Sequence, residues 1–293
     1  MTEPLEGSLE VAHGQGVLRI ATLDWGGDGP LVLLHHANGF CAGVWNRVAQ
    51  RLRDRFRVVA MDARGHGASE RPAEEGSFDW WALADDLAEV TGQVLAQTGA
   101  ERVALGLGHS FGGTVMLGAL SRNPELFERV MVLDPVIIAK ALRARMGRGG
   151  PSPMVTRARA RRAVFDSREQ ALGGWREKPF FQSWAPGVLE DYGRYGLRDR
   201  EDGRVELCCA PEVEATVFST GGTIDLFEVE RWPSIPVRFH WASGGNFSRA
   251  TYEALAARMP DARVGTVETG HLVPMEDPEL VVGLVRALVD GDA

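Results

Sequence analysis

The chain has 293 residues, 44% hydrophobic and 25% charged, enough apolar material for a sizeable core in one large globular domain or a domain with an insertion. A formal net charge of -8 argues against nucleic acid or an acidic membrane surface as partner, because both would repel it. Cys41, Cys208 and Cys209 are too few and too unevenly spaced for a disulfide framework, and no apolar run approaches about 18 residues, so a reducing, cytoplasmic setting is expected.

In chain order, MTEPLEGSLEVAHGQG lacks the apolar centre of a signal peptide, and its SLEVAHG stretch with GVLRIATLDWG reads as a hairpin of strands broken by glycines. LVLLHHA (31–37) is a continuous apolar run suited to a buried parallel strand, and VWNRVAQRLRD (44–54) has helical spacing. RVVAMDA (57–63) repeats the strand pattern, followed by a long helical stretch over 80–99. RVALGLG (102–108), a helix from about Phe111 and RVMVLD (129–134) continue the alternation. Strands alternating with helices predict an α/β fold: a mostly parallel central sheet with helices on both faces and right-handed crossovers.

The rhythm breaks at Val136. Residues 136–231 carry an arginine-rich helical stretch (155–165), aromatic residues including Trp175, Phe181, Trp184 and Tyr192, and helix-start signals at Ser167 with Gln170, at Pro186 and at Pro211. They read as an inserted helical cap, leaving 1–135 and 232–293 as the core. Strands at 236–243 and 262–270, and helices at 248–259 and 277–290, complete that core.

Gly108-His109-Ser110-Phe111-Gly112 is a G-x-S-x-G pattern. Alone it is a weak signal, but here it joins an apolar strand to a helix, where a sharp turn exposes a serine hydroxyl at the carboxyl edge of the sheet. A serine needs a base. His271, after the last strand, ends on the same edge and is the candidate. The oxyanion donors expected are the main-chain N–H groups of Phe111 and of Asn38, in the loop after the first parallel strand. His35 and His36 are adjacent strand residues on opposite faces, a poor arrangement for a shared metal; no metal and no cofactor are expected.

His36-Ala37, Asp62-Ala63-Arg64-Gly65-His66-Gly67, Gly108-His109-Ser110-Phe111-Gly112-Gly113 and Gly270-His271 occur in an order that resembles the α/β-hydrolase superfamily, in particular its capped serine esterase and epoxide-hydrolase-like branch. The resemblance spans about residues 15–290, omitting the insertion. It implies a third group, an acid orienting His271. The family commonly places that acid after its seventh strand, where this chain reads Trp241-Ala242-Ser243-Gly244-Gly245-Asn246, without a carboxylate. Some relatives carry the acid after the sixth strand. Asp134 stands there, with Asp225 as the alternative.

The expected activity is hydrolysis of a carboxylic ester through an acyl-enzyme on Ser110, with a small-molecule substrate whose apolar acyl or alcohol part contacts Phe40, His109, Trp175, Phe181 and Trp184. The same residues would serve a thioesterase, lactonase, C–C bond hydrolase or perhydrolase, or persist in a non-catalytic binder. Serine rather than aspartate at 110 argues against the epoxide hydrolase and haloalkane dehalogenase mechanisms that the resemblance also suggests. Arg64 and His66 read as structural, Asp85-Asp86 as a solvated helix face, and the Arg157 to Arg162 run as charged surface.

Overall fold

The computed structural model describes residues 2–73, 75–138 and 152–291. The chain runs β1 (Leu5–His13), β2 (Gly16–Gly26), β3 (Leu31–His35), α1 (Asn46–Leu52), β4 (Arg57–Met61), α2 (Trp80–Thr98), β5 (Leu105–His109), α3 (Phe111–Arg122) and β6 (Val130–Leu133). The residues between β6 and the next core strand then form α4 (Pro153–Arg159), β7 (Val164–Phe165), α5 (Arg168–Arg176), α6 (Pro179–Gln182), α7 (Val188–Tyr195), β8 (Leu197–Asp199), β9 (Val205–Leu207) and α8 (Pro211–Ser219). Next come β10 (Val237–Gly244), α9 (Arg249–Ala256), β11 (Ala262–Gly270), α10 (Val273–Glu276) and α11 (Pro278–Asp290). Residues 139–151 of the expected insertion lie outside the described residues.

Eight strands form one sheet in the order β1-β2-β4-β3-β5-β6-β10-β11. The β1–β2 and β2–β4 pairs are antiparallel, and every pair from β4 to β11 is parallel. The central strands β3, β5 and β6 are buried at every position, which is why their sequences are continuous apolar runs. Alternation divides their side chains between two layers. Leu31 and Leu33 pack with Leu87 of α2 and Val115 and Leu120 of α3. Val32 and Leu34 turn the other way, against Val48 and Leu52 of α1 and Val285 of α11.

Caps set the helix limits. The Asp79 side chain accepts from Trp81 N–H at the start of α2, and Gly99 ends it in the left-handed region. At α11, Asp277 accepts from Leu280 N–H, Pro278 takes the first turn, and Gly291 ends the helix in the same left-handed way.

The insertion is richer than expected. It contains an antiparallel sheet, β7-β9-β8, beside its helices. The arginine-rich helix stops at Arg159, and Val164–Phe165 pairs with β9 instead. Strands of two or three residues leave no periodicity to read. Asp86 also departs from expectation: it is 3% exposed and forms a forked pair with Arg64, whose Nε donates at 2.6 Å, while Asp85 stays exposed beside Arg122. Arg64 further donates to the Ser77 carbonyl at 2.7 Å, tying the turn after β4 to the chain entering α2.

Parallel strands end at one edge. That places the residues after β3, β5, β6 and β11 together, and the insertion is the loop that leaves β6.

Candidate active site

Ser110 links β5 to α3 with φ 55° and ψ -121°, a backbone conformation that few non-glycine residues adopt. Its N–H is anchored to the Leu133 carbonyl of β6 at 2.9 Å. The flanking glycines are dictated by contact: a Cβ at 108 would lie 2.4 Å from the Gly112 carbonyl oxygen, and one at 112 would lie 2.3 Å from that of His36. The strand thus meets the helix with no side chain between them, and the serine side chain is left at the cavity floor.

His271, just after β11, brings its Nε2 to 2.9 Å from Ser110 Oγ. Its Nδ1 is 2.7 Å from Asp134 Oδ2. The carboxylate fixes the tautomer: Nδ1–H donates to it, and Nε2 is left to accept the serine proton. Asp134 is fully buried, has φ 41°, and also accepts from Tyr252 O–H at 3.1 Å and Ala242 N–H at 3.2 Å. Asp225, the other acid considered from sequence, instead accepts from Phe227 N–H at 3.1 Å within the insertion.

Asn38 and Phe111 both face the cavity beside Ser110. Phe111 opens α3, so its N–H has no acceptor within the helix. The Asn38 loop is held from two sides. His66 Nε2 accepts from Gly39 N–H at 3.2 Å from the core, while Tyr192 O–H donates to the Gly39 carbonyl at 3.2 Å from the insertion. Asn38 Nδ2 donates to the Glu214 carbonyl at 3.0 Å. Gly39 has φ 81°, and a Cβ there would sit 2.8 Å from the Glu214 carboxyl group. Arg161 Nη1 pairs with that carboxylate, and its Nη2 donates to the Tyr192 hydroxyl oxygen at 3.0 Å. His66, Tyr192, Glu214 and Tyr252 are further residues that hold the site together. Only Tyr252 left a sequence signal: with Leu255 and Ala256 it forms the buried face of α9, which requires its hydroxyl to find a partner.

The cavity has a volume of about 700 Å³ and is lined both by Ser110 and core loop residues and by residues between β6 and β10. Phe40, Trp175 and Phe181 line it, joined by Phe165 and Phe180. Two expectations are corrected. His109 is fully buried and does not reach the cavity; its Nε2–H donates to the His271 carbonyl at 2.8 Å. Burial in contact with His271 drives its pKa down to about 3, so the ring is neutral. Trp184 lies behind the wall, its ring 5.7 Å from that of Phe40 and 5.0 Å from that of Phe181.

Residues 31–284 match the alpha/beta hydrolase family, a span that holds β3 to β11 and Ser110, Asp134 and His271. The chain belongs to that family. Among its relatives, a 2-(acetamidomethylene)succinate hydrolase of Mesorhizobium japonicum is 36% identical over 120 residues, 40% of this chain and 41% of that protein. A soluble epoxide hydrolase of a Corynebacterium species is 33% identical over 134 residues, 44% of this chain and 43% of the other. Each match thus spans about two fifths of the relative's length. The crystal structure of an E-2-(acetamidomethylene)succinate hydrolase superposes with a TM-score of 0.77 at 20% identity, covering 98% of this chain and 100% of that one, a likeness of fold. Among the described residues, no cluster of His, Cys, Asp and Glu is suited to a metal ion, and no helix is long and apolar enough to cross a membrane.

Proposed function

We propose that this member of the family is a serine hydrolase that cleaves a carboxylic ester through an acyl-enzyme. The observation that carries the reading is the unbroken line from Asp134 Oδ2 through both ring nitrogens of His271 to Ser110 Oγ, with steps of 2.7 and 2.9 Å. As Ser110 Oγ adds to the substrate carbonyl, His271 Nε2 takes its proton, and Asp134 stabilises the imidazolium through Nδ1–H. The developing oxyanion accepts from the N–H groups of Asn38 and Phe111. Collapse expels the alcohol with the proton from His271, and water activated by the same imidazole releases the acid and restores Ser110.

The nucleophile decides between substrate classes. Attack of a serine on a saturated carbon of an epoxide or alkyl halide would leave an ether, which has no carbonyl for water to attack, so turnover would stop. An acyl-enzyme retains that carbonyl. The insertion acts as a cap in this reading, and Trp175 and Phe181, which line the same cavity as Ser110, hold an apolar acyl or alcohol group.

Steady-state hydrolysis of p-nitrophenyl esters from acetate to decanoate, by the wild type and by Ser110→Ala, tests the reading. It requires turnover with at least one ester and its loss in the variant. Equal rates for the two proteins would contradict it.

A further inference from the structure

The charge around the cavity does not match the charge of the chain. The whole sequence has 40 acidic against 32 basic residues, yet among the described residues Arg157, Arg161, Arg162 and Lys178 line the cavity against one carboxylate, Glu214. Elsewhere the arginines are commonly matched, as in Arg55 with Asp290 at 2.7 Å, Arg122 with Asp85 at 2.8 Å and Arg176 with Glu190 at 2.8 Å.

The four cations differ in how far they are spoken for. Arg161 is paired with Glu214 and bonded to Tyr192, but a guanidinium has five N–H donors, and its side chain keeps 27% exposure. Arg162 donates to the Val164 carbonyl at 2.7 Å and to Gln170 at 2.9 Å, and its nearest carboxylate, Asp166, is 4.0 Å away and largely in solvent. The side chains of Arg157 and Lys178 have no hydrogen-bond or ion-pair partner among the described residues. Glu214 can neutralise one of the four, which leaves an excess of positive charge facing a cavity whose remaining wall is mainly apolar and rich in aromatic rings. Arg157, Arg162 and Lys178 are exposed, so the field they set up reaches solvent and is open to screening by salt.

Resting on the serine hydrolase reading above, we infer that the substrate carries a carboxylate in addition to the ester, with its apolar body on the aromatic wall and its charge among Arg157, Arg161, Arg162 and Lys178. The planar guanidinium fork is matched to the two oxygens of a carboxylate, and Lys178 adds a point charge. The arrangement orients the molecule: a carboxylate placed on the aromatic side would lose hydration without gaining a partner, so the charged end is drawn toward the cations and the ester toward Ser110. The neutral analogue of such a substrate leaves the cations solvated and forgoes this alignment.

The test compares matched esters that differ by one terminal carboxylate, on the acyl side (monoethyl adipate against ethyl hexanoate) and on the alcohol side (4-carboxyphenyl butyrate against phenyl butyrate). The expected result is a kcat/KM ratio of about tenfold or more in favour of the anion in at least one pair. That ratio should fall about fivefold in Arg157→Gln/Lys178→Gln, and should fall as ionic strength rises from about 0.05 M to about 0.5 M. Protection of Ser110 from a fluorophosphonate probe by the same anions gives a readout independent of turnover. Labelling of Ser110 without preference for the anion in either pair, or a preference that the double variant leaves intact, overturns this inference and leaves the hydrolase reading standing. Absence of both labelling and turnover overturns the two together.

Discussion

His109 Nε2 lies 2.8 Å from the main-chain oxygen of His271, so the residue before the serine anchors the backbone that carries the imidazole. Strand β5 therefore fixes both ends of the Ser110–His271 contact. Replacing His109 by Leu, which keeps the buried volume apolar but removes the donor, is expected to lower kcat about tenfold to a hundredfold with little change in KM. A full-rate His109→Leu enzyme would show that the anchor is dispensable.

Asp134 is the next link. Asp134→Asn keeps the shape but can present an N–H where His271 needs an acceptor, so kcat should fall by about 10⁴-fold. Asp225→Asn, which alters a cap in the insertion, should leave kcat within a small factor. Circular dichroism of both variants separates lost chemistry from lost structure, and the opposite ranking of the two rates would reassign the acid.

Tyr192 reaches from the insertion to the Gly39 carbonyl, next to the Asn38 N–H assigned to the oxyanion. Tyr192→Phe removes two hydrogen bonds, the one donated to the Gly39 carbonyl and the one accepted from Arg161, a change of about 1–3 kcal/mol. If the bond to Gly39 aligns the oxyanion loop, the loss appears in kcat, about twofold to tenfold, and the fluorophosphonate labelling rate falls in parallel. An effect confined to KM or to melting temperature would make the contact a simple fastening.

Stability should fall in mild acid. His35, His66 and His109 are all fully buried, and burial holds their pKa values down to about 4, 4 and 3. The unfolded chain takes up protons at these rings below about 6.5, whereas the folded chain excludes them. Their contribution is therefore complete above pH 6.5 and declines toward pH 4, by about 1.4 kcal/mol per ring per pH unit. Asp62 opposes this: burial raises its carboxyl to about 7, so its contribution is largest in acid and declines between about pH 4 and 7. Burial also lowers His36 and His240 and raises Asp86 and Asp191, so five rings stand against three carboxyls and the rings outweigh them. Melting temperature should drop between about pH 7 and pH 5, and a flat profile over that range would contradict the balance.

The parts legible from sequence were those set by local backbone chemistry. Gly108, Ser110 and Gly112 announce their turn because no Cβ fits there, and His271 follows the last strand of a sheet whose parallel ends coincide. Asp134 was harder to read, because Asp-Pro is also good turn chemistry and only the approach of β11 and α9 shows its carboxylate meeting His271 and Tyr252. His109 was misplaced as a substrate contact although alternation held the answer: it lies two and four residues from Leu107 and Leu105, on the face they bury. The partnership of Tyr192 and Glu214 with Gly39 depends on how the insertion docks, across more than 150 residues of sequence, and no local pattern encodes it.

The account rests on Ser110 being an activated nucleophile, and mass mapping of the fluorophosphonate adduct tests that most directly. One adduct per chain is predicted, on the peptide containing Ser110, with labelling lost in Ser110→Ala and slowed by orders of magnitude in His271→Ala. An adduct on another residue, or a folded wild-type protein that does not react while its fold is intact, would contradict it.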